Sequence, residues 1–235
     1  MWMRNETMRR FLGGNRIARA LTFGVQNRLQ MALLKGHKSP QTLKRLAQCA
    51  RTAHSLLSTD EAFTLHEIAH AQTALPGDFA EFGVYRGASA ALIASVKKSK
   101  HLHLFDTFEG LPEGTHAAER KVFQEGQFTG SLPAVQHALR HFNGLSFHKG
   151  FFPSTTAGLE DHRFAFVHLD VDLHDATRDA LAFFYPRMVS GGIILTHDYS
   201  IIPGVAKAFQ DFFTKRPEHI IELTTTQAMV IIHPR

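Results

Sequence analysis

The spacing of apolar residues divides the chain into two parts. Over residues 15–34 apolar positions recur with a helical period at Ile17, Ala18, Leu21, Val25, Leu29, Leu33 and Leu34, with basic residues between them, which predicts an amphipathic helix. Gly36 and Pro40 interrupt it, and a second helix fits about 40–56. Ser58-Thr59-Asp60-Glu61 has the form of a capping box, with Ser58 accepting from the third helical amide and Glu61 reaching back. The helix it opens runs through Ala62, Leu65, Ile68 and Ala69 and stops before Pro76-Gly77. From Gly77 the pattern changes. Short β-rich runs at 79–82, 101–105, 145–148, 164–169 and 193–196 alternate with helical stretches at about 88–98, 131–142, 175–188 and 204–215, the signature of a parallel sheet built from βα units. The end departs from it. Residues 219–223, a polar Thr224-Thr225-Thr226-Gln227 turn and residues 228–232 read as a β-hairpin. The expected fold is α/β and Rossmann-like, a seven-stranded, mostly parallel sheet with a C-terminal antiparallel hairpin and a helical N-terminal extension.

Length and composition fit that division. The 235 residues, 44% apolar, suit one α/β domain over 57–235 plus an extension over 1–56, and a core of this size holds itself together without staples. The single cysteine, Cys49, has no internal partner, no Cys/His spacing suggests structural zinc, and the apolar runs fall far short of the roughly 20 residues of a membrane span. The start lacks the apolar centre of a signal peptide, so a cytoplasmic protein is expected. The charge is uneven. The first 58 residues hold 11 Lys/Arg (including Arg4, Arg9 and Arg10) against the single acid Glu6, leaving 15 basic and 20 acidic side chains in the rest. A basic arm suits nucleic acid, anionic lipid or an acidic partner. It lacks interleaved aromatics that stack on bases, and the core carries no nucleic-acid motif. The expectation is an arm packed on a neighbouring subunit of a homo-oligomer, a dimer, with an anionic membrane surface as the alternative.

The candidate chemistry begins at the turn after the first core strand, Glu81-Phe82-Gly83-Val84-Tyr85-Arg86-Gly87-Ala88-Ser89. Glycines there let a ligand approach the backbone, and the amides opening the next helix are free donors at the positive end of its dipole. The pattern is E-x-G-x-x-x-G-x-S, not the dinucleotide fingerprint G-x-G-x-x-G. A pyrophosphate would be repelled by Glu81, whereas an ammonium group would be attracted. S-adenosylmethionine carries an amino-acid head and a sulfonium and no phosphate. Alternatively, Glu81 is satisfied by backbone at a plain helix start. Asp106 closes the second strand, 25 positions after Glu81, where an acid can accept both ribose hydroxyls.

Several segments together resemble the macrocin O-methyltransferase family: 78–89, 105–113 (Phe-Asp-Thr-Phe-Glu-Gly-Leu-Pro-Glu), 123–128, 150–155, 169–177 (Leu-Asp-Val-Asp-Leu-His-Asp-Ala-Thr) and 191–199 (Gly-Gly-Ile-Ile-Leu-Thr-His-Asp-Tyr), in family order over about 57–215. The first 55 residues resemble nothing placed. The resemblance implies a class I methyltransferase fold and methyl transfer from S-adenosylmethionine to a hydroxyl, with sugars of natural products as acceptors and magnesium as a cofactor. It places Glu81, Gly83, Tyr85, Gly87 and Ser89 on the cofactor turn, Asp106 on the ribose, and the adenine beside Gly150-Phe151.

The resemblance also makes Asp170, His197 and Asp198 the metal-site positions. Typical members carry two acids where this chain has His197-Asp198. Magnesium prefers oxygen ligands, and a histidine suits manganese, iron or zinc better. His197 is therefore a ligand or a base, with His116 and His174 as reserves. Asp172 joins Asp170 if the strand persists, or else caps the helix near Asp175. Segment 107–130, with Gly110, Pro112, Gly114, Gly126 and Gly130, is the expected lid and acceptor wall. The expected function is O-methylation of a small hydroxylated metabolite. The alternatives are a nucleotide-linked oxidoreductase, disfavoured by Glu81, and a cofactor-binding assembly partner without transfer activity.

Overall fold

A computed structural model describes residues 16–52 and 55–234; Arg4, Glu6, Arg9 and Arg10 of the basic arm lie outside them. Among the described residues three helices come first: α1 (Arg16–Lys35), α2 (Pro40–Thr52) and α3 (Thr59–Gln72). The capping box of α3 forms as its sequence requires. Glu61 N–H donates to Ser58 Oγ at 3.3 Å, and Ser58 N–H donates to Glu61 Oε2 at 2.8 Å, a cap worth about 1 kcal/mol.

The βα units follow: β1 (Asp78–Phe82), α4 (Ala88–Val96), β2 (Leu102–Asp106), α5 (Ala117–Val122), α6 (Leu132–Leu139), β3 (Leu145–Lys149), β4 (Phe164–Leu169), α7 (His174–Phe184), β5 (Met188–Thr196), α8 (Pro203–Phe213), β6 (Ile221–Glu222) and β7 (Ala228–Ile231). The seven strands form one sheet in the order β3-β2-β1-β4-β5-β7-β6. β1 to β5 run parallel, and β7 pairs antiparallel with β5 and with β6. β4 is buried along its whole length, as a central strand covered on both faces must be.

Each face of the sheet packs its own apolar layer. Phe79, Leu102, Leu104 and Phe166 meet the α3/α4 side, where Leu34, Leu43 and Leu46 of α1 and α2 join the same cluster. Phe105, Phe164 and Val167 meet Phe184 of α7 and Phe209 of α8 on the other face. No described helix is long and apolar enough to cross a membrane.

The α7–β5 connection and the segment 107–130 differ from the sequence expectation. α7 stops at Phe184, because Pro186 falls in a following 3-10 turn, and β5 therefore begins at Met188, with its Gly191-Gly192 lying where the register against β4 shifts. The expected loop 107–130 contains α5, whose Glu119 carboxylate accepts from His116 N–H at 3.2 Å and from His174 N–H at 2.7 Å.

Candidate active site

The strand order reverses between β1 and β4, so the loops leaving their carboxyl ends part and open a crevice. A cavity of about 360 Å³ lies there, lined among others by Gly83, Tyr85, Ser89, Asp106, Phe151, Asp170, Asp172, His197 and Asp198. The strand ladders continue into the turns that shape it. Gly83 N–H donates to Phe105 O at 3.0 Å, Asp170 N–H to Phe82 O at 2.9 Å and His197 N–H to Leu169 O at 2.8 Å.

Asp106 organises the glycine-containing turn. Its Oδ2 accepts from the amides of Val84 at 2.7 Å and Tyr85 at 2.8 Å, and its Oδ1 accepts from Phe108 N–H at 2.7 Å. A carboxylate has about four lone-pair sites, so three amides leave it capacity toward the cavity. Gly87 is the N-cap of α4 at φ +85°. Its missing side chain faces Val135, not the crevice. Glu81 is fully buried beneath the turn, outside the cavity lining. His168 Nδ1 lies 3.0 Å from its Oε1, and its Oε2 makes no hydrogen bond of ordinary geometry. Burial pushes its carboxyl above the usual range, opposed by His168 and Ser89. Phe151, 59% exposed, lines the cavity, and Gly150 is not among its lining residues.

Acids gather around one imidazole at the ends of β4 and β5. His197 Nδ1 lies 3.4 Å from Asp170 Oδ1 and 3.1 Å from Asp198 Oδ2, and its Nε2 lies 3.5 Å from Glu61 Oε2. Burial alone would lower the imidazole pKa, but the three carboxylates outweigh it and hold it well above its ordinary value. Asp170, for which burial acts in the opposite sense, is held below the usual range chiefly by His197. Asp172 is pushed well above the range by burial and by the neighbouring Asp198 and Asp170. Ligand atoms of Asp170, His197 and Asp198 lie within 4.8 Å of one another, and neither His197 ring nitrogen has a hydrogen bond of ordinary geometry. Two carboxylates and an imidazole nitrogen, part-buried and converging on one another, are a donor set that fits a divalent cation.

The backbone around the cavity is strained. Tyr85, Phe128, Asp172 and Asp198 all have positive φ, between 50° and 60°, and all four line it. Such residues persist where surrounding structure over-determines them, commonly at active sites.

Comparison with known proteins decides the lineage. The profile of the family described as macrocin-O-methyltransferase (TylF) matches residues 5–227. The chain belongs to this family. The match reaches into the basic segment that motifs alone left unplaced. The 8-demethyl-8-(2,3-dimethoxy-alpha-L-rhamnosyl)-tetracenomycin-C 4'-O-methyltransferase of Streptomyces olivaceus is 32% identical over 142 residues, 54% of this chain and 54% of that protein. The chain thus spans about half the length of this curated relative. The solved structure of the O-methyltransferase NovP matches at a TM-score of 0.69 with 20% identity, covering 91% of this chain and 99% of that one. A Bacillus cereus O-methyltransferase solved in complex with SAH matches at 0.60 with 12% identity, covering 89% and 99%. These likenesses establish the class I O-methyltransferase fold.

For this macrocin O-methyltransferase family member, the structure adds Glu61 to the site and places the residues that the motif reading left open. Glu61 is legible as a capping residue, yet its Oε1 also accepts from Thr226 Oγ1 at 2.6 Å while its Oε2 faces His197. Asp172 lines the cavity and does not cap α7, whose N-cap is Leu173. Thr107, Leu111, Pro112, Thr115 and Phe128 of the expected lid do line the cavity. The reserve histidines His116 and His174 lie at its margin against Asp175, at 3.4 and 2.9 Å.

Proposed function

We propose that the chain is an S-adenosylmethionine-dependent O-methyltransferase acting on a hydroxyl of a small metabolite, a sugar or natural-product glycoside, with divalent-metal assistance. The observation that carries this reading is the crevice itself, where the Asp106-braced turn and the acid–histidine cluster share one cavity. Family membership and the rhamnosyl-tetracenomycin methyltransferase relative support it, and so does the SAH complex of the Bacillus cereus protein.

S-adenosylmethionine supplies an electrophilic methyl on sulfur; the acceptor oxygen bonds to that carbon as the carbon–sulfur bond breaks, and the hydroxyl proton departs. The residues divide the remaining work. Asp106 accepts from the ribose, and the turn of Gly83, Tyr85, Gly87 and Ser89 bounds the amino-acid head, with the Glu81 carboxylate beneath it. Gly150-Phe151 borders the adenine. Asp170, His197 and Asp198 would hold magnesium or manganese, which when bound lowers the pKa of a coordinated hydroxyl. His197, beside both Asp170 and Asp198, is the third ligand or, with the two carboxylates alone on the metal, the base that takes the departing hydroxyl proton. The surplus of carboxylates favours cationic partners, the sulfonium as much as a metal.

The test is a thermal-shift titration followed by an acceptor screen read by mass. S-adenosylmethionine should raise apparent stability by roughly 2.7 kcal/mol at a hundredfold excess over its dissociation constant. NAD should not. One methyl group should then appear on a hydroxylated acceptor, and a chelator should suppress it. Stabilisation by NAD alone would remove the methyltransferase reading. Full turnover in chelator would remove the metal and leave proximity and orientation to drive transfer.

A further inference from the structure

At the end of the sheet away from the crevice, the fold gathers side chains that methyl transfer does not use. Asp78 opens β1, His103 is the second residue of β2, His148 lies on β3 and His162 immediately precedes the Arg163 that leads into β4. The strand order β3-β2-β1-β4 sets them side by side. They share the face on which Phe164 packs against Phe184, and the His103 ring is 5.8 Å from Phe164.

His162 Nδ1 lies 3.0 Å and His103 Nε2 3.5 Å from the same oxygen, Asp78 Oδ2, and one ligand atom from each of the three residues lies within 4.8 Å of the others. Nitrogen and oxygen ligands sit about 2.0–2.2 Å from zinc, so neighbours on a tetrahedral site stand roughly 3.3–3.6 Å apart. The 3.5 Å pair already stands at that spacing, and the 3.0 Å contact, a hydrogen bond here, would open by a few tenths of an ångström.

The polar groups are disposed as ligands. His103 is 3% exposed, and its Nε2 is buried without a hydrogen bond. Its Nδ1 lies 3.0 Å from His148 Nε2, which supplies the acceptor that a ligating imidazole requires for its other N–H. Burial pushes the His103 imidazole down to about 4, which leaves it neutral with a lone pair to give. Among the described residues no lysine or arginine forms an ion pair with Asp78; its partners are the two histidines. Asp78 and His162 are part-exposed, so solvent reaches a fourth position.

We propose that Asp78, His103 and His162 form a divalent transition-metal site of the zinc class, distinct from the crevice, that ties β1, β2 and the approach to β4 together. Two imidazoles and one carboxylate suit zinc, copper, nickel or iron and not magnesium. The proposal is independent of the methyl-transfer reading.

The test is calorimetric titration of the full chain with zinc chloride. It uses an Asp170→Asn/His197→Gln background so that the crevice does not contribute. One zinc per chain should bind and raise the melting temperature, with no heat from magnesium chloride. Adding His162→Ala, at a part-exposed position, or Asp78→Asn should weaken zinc at least about tenfold, the lower bound for disturbing even a supporting residue of a metal site. Circular dichroism checks that each variant is folded. The proposal is overturned if the background protein takes up no zinc, or if folded His162→Ala and Asp78→Asn proteins bind it as tightly as the background does.

Discussion

Gly83→Ala is the most discriminating single substitution, because its cost is set by the protein and not by a ligand. Gly83 has φ +94°, and a Cβ placed there would stand 1.8 Å from the carbonyl oxygen of Asp170 and 2.7 Å from its carbon. The sequence suggests a glycine kept open for the cofactor; the structure shows the space filled by the backbone of β4's continuation. A left-handed L-residue costs about 1–2 kcal/mol. Relieving the overlap means parting the ends of β1 and β4, which the bond from Asp170 N–H to Phe82 O ties at 2.9 Å, and overpacking strain of this kind costs typically 1–3 kcal/mol. Together they predict a loss of about 2–5 kcal/mol, or about 4–20 °C in melting temperature for a chain of this size. Gly87→Ala is the control. Its φ is +85°, but its Cβ would first meet the Val135 Cγ1 at 3.1 Å, a side chain that can move. Only the conformational cost of about 1–2 kcal/mol should appear. Ligand-free guanidinium unfolding measures both variants, and equal stability of the two would refute the clash with Asp170.

Asp106→Ala should weaken S-adenosylhomocysteine binding by about 1.5–3 kcal/mol, the range for hydrogen bonds to a charged group, and lower ligand-free stability because three amides lose their acceptor; unchanged calorimetric affinity would end the ribose assignment. Asp170→Asn should leave that affinity nearly intact and remove most turnover, whereas equal loss of both would move Asp170 to the cofactor side. Burial pushes the Cys49 thiol up to about 11, so its alkylation near pH 7.5 should run one to two orders of magnitude slower than that of free cysteine, and a fast reaction would show an open thiol. Homo-oligomer formation through the N-terminal helices is expected from the exposed row Val25, Leu29 and Leu33 on α1. Leu29→Glu/Leu33→Glu should reduce the mass seen by light scattering, and an unchanged mass would place assembly elsewhere.

What could be read before folding follows from distance along the chain. The capping box at Ser58 and Glu61 is local, so its residue types alone specify it. Asp170 and His197-Asp198 are legible as a pair because each directly follows a strand and parallel strands end at one edge. Glu81 shows the limit of that rule. As the penultimate residue of β1 it lies on the α4 side, with its nearest partner His168 across the sheet on β4, a burial that the charge argument for an ammonium group does not anticipate. The contact of Glu61 with His197 and the row of Asp78, His103 and His162 join residues far apart in sequence, so spacing carries no trace of them; the absence of a zinc-like spacing is uninformative here for that reason. Helix α5 has too few residues to show a period, and it is held by the tertiary bond of Glu119 to His174.

The left-handed residues at the cavity bear on how this protein would respond to selection for heat resistance. Tyr85 and Phe128 face each other edge to face, with ring centroids 5.9 Å apart, and each holds a backbone conformation that glycine adopts freely. Glycine at either position would release about 1–2 kcal/mol of strain while deleting an aromatic wall of the cavity. A screen that rewards only survival at high temperature would therefore gain little at this rim, because the relieved strain is offset by the lost ring contact, worth about 0.5–1.5 kcal/mol beyond its buried area. Stabilising changes are better sought on the far side of the sheet, where burial and catalysis make no competing demands on the same residues.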